Sequence, residues 1–318
     1  MEFIGLPDLA SQLLGGGVVA CNDEFFAPAD RLVEAGDPAY SPHTFGAKGQ
    51  VYDGWETRRR REPGHDWAIV RLGAPGIVHG VVIDTAWFKG NYPPFASLDG
   101  CAIDGYPSPV EVQAAEWTPL LGRSALAGDS RNAFPVPAAQ RVSHVRLNIF
   151  PDGGVARLRV HGEPVPDPTL MPGGIDLAAL ENGGRVTDCS NMFYGSPTNL
   201  LLPGLARTMG EGWETARRRD DGNDWVQLRL GVPGSIELVE VDTSHFKGNA
   251  PGAAMITGFE AEGTPFEILP RTRLQPNTRH RFRVGAALVA HRARLDVYPD
   301  GGVARLRLYG RPSGEPVV

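Results

Sequence analysis

The stretch RLNIFPDGGVARLRV at residues 146–160 returns as RLDVYPDGGVARLRL at residues 294–308, with 11 of 15 positions identical. On both sides of the central PDGG, apolar and polar residues alternate with a period of two, which is typical of half-buried antiparallel strands. The PDGG segment has the chemistry of a hairpin turn, which we expect Asp152 to close with its own side chain. The sequence therefore predicts a strand, a turn and a second strand, and it predicts this unit twice.

Two further motifs are repeated in the same order. GWETRRRREPGHDW at residues 54–67 returns as GWETARRRDDGNDW at 212–225, identical at 10 of 14 positions, and VVIDTAWFKGNYP at 81–93 returns as VEVDTSHFKGNAP at 239–251. The copies are 148 to 158 residues apart. This spacing is too long for a solenoid unit and indicates a duplicated domain.

The domain organisation follows from this duplication. A chain of 318 residues is expected to form about two domains. Four prolines and two glycines in EPVPDPTLMPGG cannot continue a helix or a central strand. We therefore expect a first repeat at 1–165, a second repeat at 173–318 and a Pro/Gly-rich linker at 163–174.

The composition favours an all-β fold. Forty glycines and 28 prolines are typical of many short strands joined by turns. Core strands are expected to end at Asp84 and Asp242, and short helices are expected only near residues 6–14 and 176–180. The predicted architecture is two tandem β-sandwiches, each with long loops at one end of its sheets.

The charge and the cysteine content of the chain argue against some classes of function and favour others. The net charge of −6 argues against a nucleic-acid protein, so the local arginine clusters indicate either a small anionic ligand or internal ion pairs. Cys21, Cys101 and Cys189 are an odd set without metal-ligand spacing, which favours a reducing, cytoplasmic location. No apolar run approaches the roughly 18 residues that span a bilayer. No nucleophile elbow, phosphate-binding loop or zinc motif is present, so covalent and nucleotide chemistry are not expected.

The first repeated motif holds most of the candidate site residues. Glu56, His65 and Asp66 can move protons. A guanidinium suits a carboxylate because it donates two parallel N–H bonds, and neighbouring residues of an extended segment point to opposite faces. At most two arginines of a run can therefore converge on one ligand. The anion-binding candidates are Arg58, Arg59 and Arg60 with their twins Arg217 and Arg218. Alternatively, arginine–carboxylate pairs simply lock a long loop, and the spacing alone leaves both readings open.

The motif DTxxFKGN places a second group of candidates just past a strand end. A turn of this composition presents an ammonium and an amide beside exposed backbone N–H groups. The residues are Lys89 and Asn91 in the first copy, with Lys247 and Asn249 in the second. His245 stands where the first copy has Trp87 and is a candidate acid/base or metal ligand, although a lone histidine is more often a structural, hydrogen-bonded residue.

Together these motifs, with NDEFFAPA at 22–29, resemble the allantoicase (allantoate amidinohydrolase) family over nearly the whole chain. The resemblance implies two jelly-roll domains of the galactose-binding-like type, assembly as a homo-oligomer, and hydrolysis of allantoate to ureidoglycolate and urea in purine catabolism. Allantoate is a small carboxylate that carries two ureido groups, so its hydrolysis requires an anion site and proton transfer. A divalent metal such as Mn²⁺ could polarise a ureido oxygen, but no ligand set can be named and no other cofactor is expected.

The second copy departs from the family motif, with Ala216 in place of Arg58 and Asn223 in place of His65. We therefore expect the first copy to supply the main anion-binding and proton-transfer groups, led by Glu56 and His65. The alternative function is a non-catalytic galactose-binding-like module that recognises a small anionic or carbohydrate ligand, because fold does not dictate function. Carbohydrate sites usually expose aromatic platforms, whereas these motifs gather charges, which favours the enzyme.

Overall fold

The computed structural model describes residues 2–103, 105, 107–137, 140–165, 174–285 and 288–313. The chain divides into two compact units, Met1–Val165 and Pro166–Val318. Residues 166–173, which make up most of the expected linker, lie outside the described residues. Within the described ranges, no helix has the length and apolarity that crossing a membrane would require.

The first unit is built almost entirely from strands. These are β1 (Gly17–Cys21), β2 (Phe45–Gly46), β3 (Gly49–Gln50), β4 (Trp55–Glu56), β5 (Asp66–Asp84), β6 (Phe95–Cys101), β7 (Thr118–Ala125), β8 (Arg131–Pro135), β9 (Arg141–Phe150), β10 (Gly154–Val155) and β11 (Arg157–Pro164). The helical segments are α1 (Pro109–Gln113) and the 3-10 turns Glu2–Gly5, Gln12–Leu14 and Ala29–Val33.

The second unit has the same order of principal strands. They are β12 (Ile175–Asp176), β13 (Arg185–Cys189), β14 (Trp213–Glu214), β15 (Asp224–Asp242), β16 (Ala253–Phe259), β17 (Pro265–Arg273), β18 (Arg279–Arg283), β19 (Ala290–Tyr298), β20 (Gly302–Val303) and β21 (Arg305–Pro312). The 3-10 turns are Leu180–Asn182, Pro197–Leu201 and Met209–Glu211.

A single long strand forms the corner of each sandwich. In the first unit, the beginning of β5 pairs with β1 and β9, whereas its end pairs with β11 and β8. The strand changes sheets at Gly73-Ala74-Pro75-Gly76, where proline has no N–H for the ladder and a Cβ on Gly76 would lie 2.4 Å from the carbonyl oxygen of Glu163. The sheet then continues from β9 through β6 to β7.

The second unit repeats this arrangement. The beginning of β15 pairs with β13 and β19, and its end pairs with β21 and β18. Its corner is Gly231-Val232-Pro233-Gly234. The predicted fold class, two tandem antiparallel jelly-roll sandwiches related by duplication, is confirmed.

The apolar side of the alternation forms the core as predicted, but the polar side of β9 is not exposed, since His144 and Asn148 are also buried. Val145, Leu147 and Ile149 of β9 are fully buried, as are Leu158 and Val160 of β11. Each such side chain stabilises the fold by about 1.5–3 kcal/mol through removal of apolar surface from water. The predicted strand ends at Asp84 and Asp242 are also confirmed.

The PDGG segment is not a hairpin turn. The strands that it joins, β9 and β11, lie on different parts of β5 and do not pair with each other. PDGG instead leads into β10, which pairs with β4. Asp152 does not close its own turn, because its carboxylate accepts the backbone N–H of Arg60 at 2.8 Å. Alternation predicted the strands correctly but carries no information about which strand lies beside which.

The two predicted helices are also wrong in kind. Residues 176–180 contain the end of β12 and lead to a 3-10 turn at Leu180–Asn182, and residues 6–14 contain only the turn Gln12–Leu14. Such short segments form 3-10 turns because one or two hydrogen bonds cannot sustain an α-helix. The α-helix found among the described residues, α1, was not predicted, although Ser108 and Glu111 form a capping box at its start.

Candidate active site

Three of the four residues in the GWET motif are structural. A Cβ on Gly54 would lie 2.7 Å from the backbone that follows β10. The Trp55 side chain is fully buried, and its indole N–H donates to the carbonyl oxygen of Asp23 at 2.8 Å. The Thr57 hydroxyl accepts the N–H of Gly153 at 3.1 Å, so it ties PDGG to this loop. The second copy makes the same indole and hydroxyl contacts at Trp213 and Thr215.

Glu56 is the fourth residue, and its environment differs from that of the other charged residues in the motif. Its backbone is held by the N–H groups of Phe26 and Ala27, while its half-buried side chain accepts one hydrogen bond, from the Asn91 amide at 2.7 Å. Among the described residues no cation forms an ion pair with it. Burial raises the pKa of Glu56, and the hydrogen bond from Asn91 opposes this only in part. A carboxyl group with a raised pKa in such a position suits general acid–base chemistry.

An aromatic cluster lies beside Glu56. Tyr52 stacks on Phe88 with ring centroids 5.0 Å apart, and Tyr40 stacks on Trp87 at 5.1 Å. Tyr40 and Tyr52 are 6.5 Å apart, which makes the cluster continuous. Burial raises the pKa of Tyr52, and the charge of Glu56 raises it further, so the two groups are electrostatic neighbours.

This cluster depends on a segment that only the first copy has. The connection from the 3-10 turn Ala29–Val33 to β4 is 21 residues long, whereas the corresponding connection from Pro197–Leu201 to β14 has 11. The longer connection carries both tyrosines and the β2–β3 hairpin. Its Lys48 donates to the carbonyl oxygen of Phe25 at 2.6 Å and lies 4.5 Å over the Phe25 ring. Only the first copy therefore covers this end of the sandwich with additional chain.

Arg60 and Asp66 form an internal ion pair. The Nη1 atom of Arg60 lies 2.7 Å from Oδ1 of Asp66, whose side chain is 1% exposed. Arg218 and Asp224 repeat the pair at 2.8 Å. These contacts match the loop-locking alternative for this part of the motif.

Arg58 forms a pair that the second copy has lost on both sides. Its Nε atom lies 2.6 Å from Oδ2 of Asp23. In the second copy the arginine is Ala216 and the aspartate is Asn191, which still accepts the backbone N–H of Ala216 at 2.9 Å. The backbone contact is thus kept while both charges are removed.

Arg59 and Arg217 point outward from their loops. Both side chains are exposed, and neither makes a hydrogen bond or an ion pair with any described residue. Their orientation follows from the inward positions of Arg60 and Arg218, because neighbours on an extended segment face opposite ways. Arg61 and Arg219, which follow the inward-facing arginines, are exposed as well, so each copy has more than one arginine of this run that can bind a ligand.

The two lysines of the DTxxFKGN motif differ in their surroundings. Lys89 is exposed, with Nζ 3.8 Å from Oδ2 of Asp129. Asn277 takes the place of Asp129 in the second copy, since each accepts the N–H of the residue two before the lysine. Lys247 is exposed and has no ion-pair partner among the described residues.

Neither of the two candidate histidines is hydrogen-bonded to Glu56. The half-buried His65 ring packs on Phe150 at 4.8 Å and makes no hydrogen bond to Glu56. The Nε2 atom of His245 lies 2.9 Å from the carbonyl oxygen of Ala206, just as Nε1 of Trp87 donates to a loop carbonyl at 3.0 Å. Both residues have positive φ, 72° and 70°. The exchange of Trp87 for His245 thus keeps a ring N–H on a loop carbonyl, which supports the structural reading.

The structure brings together Glu56 and Asn91 in the first copy, and Glu214 and Asn249, at 2.6 Å, in the second. Sequence reasoning did not single out Glu214, although the repeat identified it as the twin of Glu56. It also missed Tyr52, which has no counterpart in the shorter loop. No group of three or more His, Cys, Asp or Glu residues that could hold a metal ion occurs among the residues described.

Comparison with known proteins agrees with this arrangement. The allantoicase repeat model matches residues 7–165 and 175–313. The chain is 59% identical to a probable allantoicase from Nocardia farcinica over 98% of this chain and 96% of that protein, and 50% identical to one from Streptomyces avermitilis over 97% and 86%. The crystal structure of allantoicase from Saccharomyces cerevisiae aligns with a TM-score of 0.86 at 34% identity, covering 97% of this chain and 96% of that one.

Fold and loops together define a duplicated β-sandwich protein that carries charged and amide side chains at the loop end of each repeat. More particularly, the chain belongs to the allantoicase family.

Proposed function

We propose that this protein hydrolyses allantoate to ureidoglycolate and urea, and that the first repeat carries the reaction. Membership of the allantoicase family supports the substrate. The observation that supports the location is the half-buried Glu56, which has a raised pKa, a single amide donor and no cation partner among the described residues.

The reaction replaces one C–N bond by a C–O bond. Water adds its hydroxyl to the carbon that bears the carboxylate, and the leaving ureido nitrogen takes up a proton to become urea. Glu56 accepts the proton from water in its ionised form and can return it to the leaving nitrogen. Its raised pKa suits both steps, because a group with a pKa closer to the working pH can exchange a proton in either direction.

The outward-facing groups of the same loops bind the substrate. The free guanidinium of Arg59 can pair with the substrate carboxylate through two parallel N–H bonds, and the ammonium of Lys89 adds positive charge. Asn91 positions the Glu56 carboxyl, and its amide can also meet a ureido group. Holding these groups in place lowers the barrier by removing motion that the free reactants would have to lose.

The aromatic cluster supports a working role for the first repeat. Tyr40, Tyr52, Trp87 and Phe88 form a stacked aromatic surface in the first copy, and an apolar surface next to the reacting groups would strengthen charge interactions with the substrate. His65 is supported less well as an acid/base than Glu56, because its ring packs against Phe150. Two other candidates, Asp66 and Arg60, serve by holding the loop.

A resident metal is not part of this proposal. The described residues hold no ligand group suited to Mn²⁺, so no step is assigned to it. We further propose a cytoplasmic location, supported by three free cysteines, with burial raising the pKa of Cys21 and Cys101 to about 11. Assembly as a homo-oligomer is proposed from the family alone.

The test is urea release from allantoate by the purified full chain, with and without added Mn²⁺ and after treatment with EDTA. We expect urea and ureidoglycolate in equal amounts in every condition. A folded protein that releases no urea in any of them would favour the alternative, a binding module without catalysis. Glu62→Gln, an exposed carboxylate change in the same loop, serves as a control for handling and stability.

A further inference from the structure

The second repeat keeps the central contact of the proposed active site. The Glu214 carboxylate accepts a hydrogen bond from the Asn249 amide at 2.6 Å, as Glu56 does from Asn91 at 2.7 Å. The backbone of Glu214 is held by two N–H groups of the preceding loop, those of Phe193 and Tyr194, in the same way as that of Glu56. The carboxylate and amide are therefore presented by the same loops in both copies.

The charged residues around this contact differ between the copies. Two carboxylates that pair with cations in the first copy have neutral counterparts in the second, since Asp23 is replaced by Asn191 and Asp129 by Asn277. The second copy has also lost Arg58 and gained Asp221 where the first has Pro63. Arg217 and Lys247 remain exposed and without an ion-pair partner among the described residues. The second copy thus keeps exposed cations in the loops that carry the Glu214–Asn249 contact, and these can attract a small anion.

The second copy also lacks the two tyrosines of the aromatic cluster, although Phe246 keeps the position of Phe88. Gly210 stands at the position of Tyr52, two residues before the GWET motif, and the inserted loop is missing. Met209 contacts the Glu214–Asn249 pair instead, with its sulfur 3.4 Å from the Asn249 amide nitrogen. Glu214 is half-buried like Glu56, but it has no counterpart of the stacked tyrosines of the first copy.

We propose that the loops of the second repeat form a second binding site for a small carboxylate with ureido N–H groups, and that this site binds its ligand without hydrolysing it. Arg217 and Lys247 attract the carboxylate, while Glu214 accepts a ureido N–H and Asn249 supplies an amide. The ligand class rests on the proposed function, since it is taken from the substrate of the first repeat.

The test measures how many ligand molecules bind to each chain. Glu56→Gln is expected to slow turnover about 10²–10⁴-fold. Allantoate can therefore be titrated into this variant by isothermal calorimetry, with two bound molecules expected per chain. In that background, Arg217→Ala should weaken one site about 10- to 100-fold, the loss expected for one charge-assisted contact, and Arg59→Ala should weaken the other. Arg283→Ala, which removes an exposed arginine from β18, controls for the change in net charge and should leave both sites intact.

One bound molecule per chain in Glu56→Gln would overturn the inference, as would two sites that Arg217→Ala leaves unchanged. Failure of the proposed function has a different signature, because the wild-type protein would then release no urea. In that event the same titration is done on the wild-type chain, and two sites sensitive to Arg59 and Arg217 would still support the second site.

Discussion

Replacing Arg60 by alanine should unfold the first repeat at a lower temperature. The change removes the guanidinium that lies 2.7 Å from the 1% exposed carboxylate of Asp66. Removal of one partner from a fully buried pair costs about 3–5 kcal/mol. Arg60 is 27% exposed, and the Asn22 amide still donates to Asp66 at 2.9 Å, so we expect about 2–3 kcal/mol. For a unit of this size, that corresponds to a fall in Tm of about 5–10 °C.

Arg59→Ala is the matched change at the neighbouring position, and its effect should be of the other kind. Since the Arg59 side chain is exposed and unpaired among the described residues, its loss should change stability by less than about 0.5 kcal/mol. The loss of a contact to the substrate carboxylate should instead raise KM about 10- to 100-fold. Differential scanning calorimetry and initial rates of urea release, measured on the same preparations, separate the two effects. Equal effects of both variants on Tm, or a KM that rises only with Arg60→Ala, would refute this division of roles.

Three further predictions concern the groups around the proposed acid/base. Because burial raises the pKa of Glu56, the apparent pKa of the acid limb of the kcat/KM profile should lie above the ordinary value of 4.5. Asn91→Ala removes the hydrogen bond that lowers this pKa, so it should move the acid limb of the pH–rate profile to higher pH. A raised folded-state pKa stabilises the fold only at low pH, and this contribution is lost as pH rises through that pKa. Glu56→Gln should therefore melt at pH 7 no lower than the wild type, with a smaller advantage at pH 4, as thermal denaturation at the two values can show. His245→Trp should keep the contact to the Ala206 carbonyl and change kcat less than twofold. His65→Asn should lower kcat less than Glu56→Gln does. A larger loss of kcat from either histidine change would support that histidine as an acid/base.

The sequence predicted the fold well because its evidence is periodic and repeated. Alternation around residues 146–160 identified strands, and the second copy confirmed each motif independently. It could not predict that β9 and β11 separate into different parts of the sandwich, since side-chain alternation is the same whichever strand lies alongside. The sheet-changing corner at residues 73–76 was visible as Gly-Ala-Pro-Gly, but such a sequence also occurs in ordinary turns.

The site was predictable in part. Opposite orientation of Arg59 and Arg60 followed from an extended backbone, but which of them faces inward depends on the position of Asp66, a tertiary contact. Charged residues in a loop look alike in sequence whether they bind each other or a ligand. Tyr52 could have been found from the difference in loop length between the copies, because an insertion next to a repeated motif marks where one copy has changed.

The most direct measurement is the rate of urea release from allantoate by Glu56→Gln and Glu214→Gln, prepared and assayed side by side. The two changes are chemically identical and affect the same position of each repeat, where each carboxyl accepts one bond from an asparagine amide. We predict that Glu56→Gln lowers kcat by about 10²–10⁴-fold, the range for loss of a general acid/base, and that Glu214→Gln lowers it far less. A larger loss in Glu214→Gln, or equal losses in both, would contradict the assignment of catalysis to the first repeat.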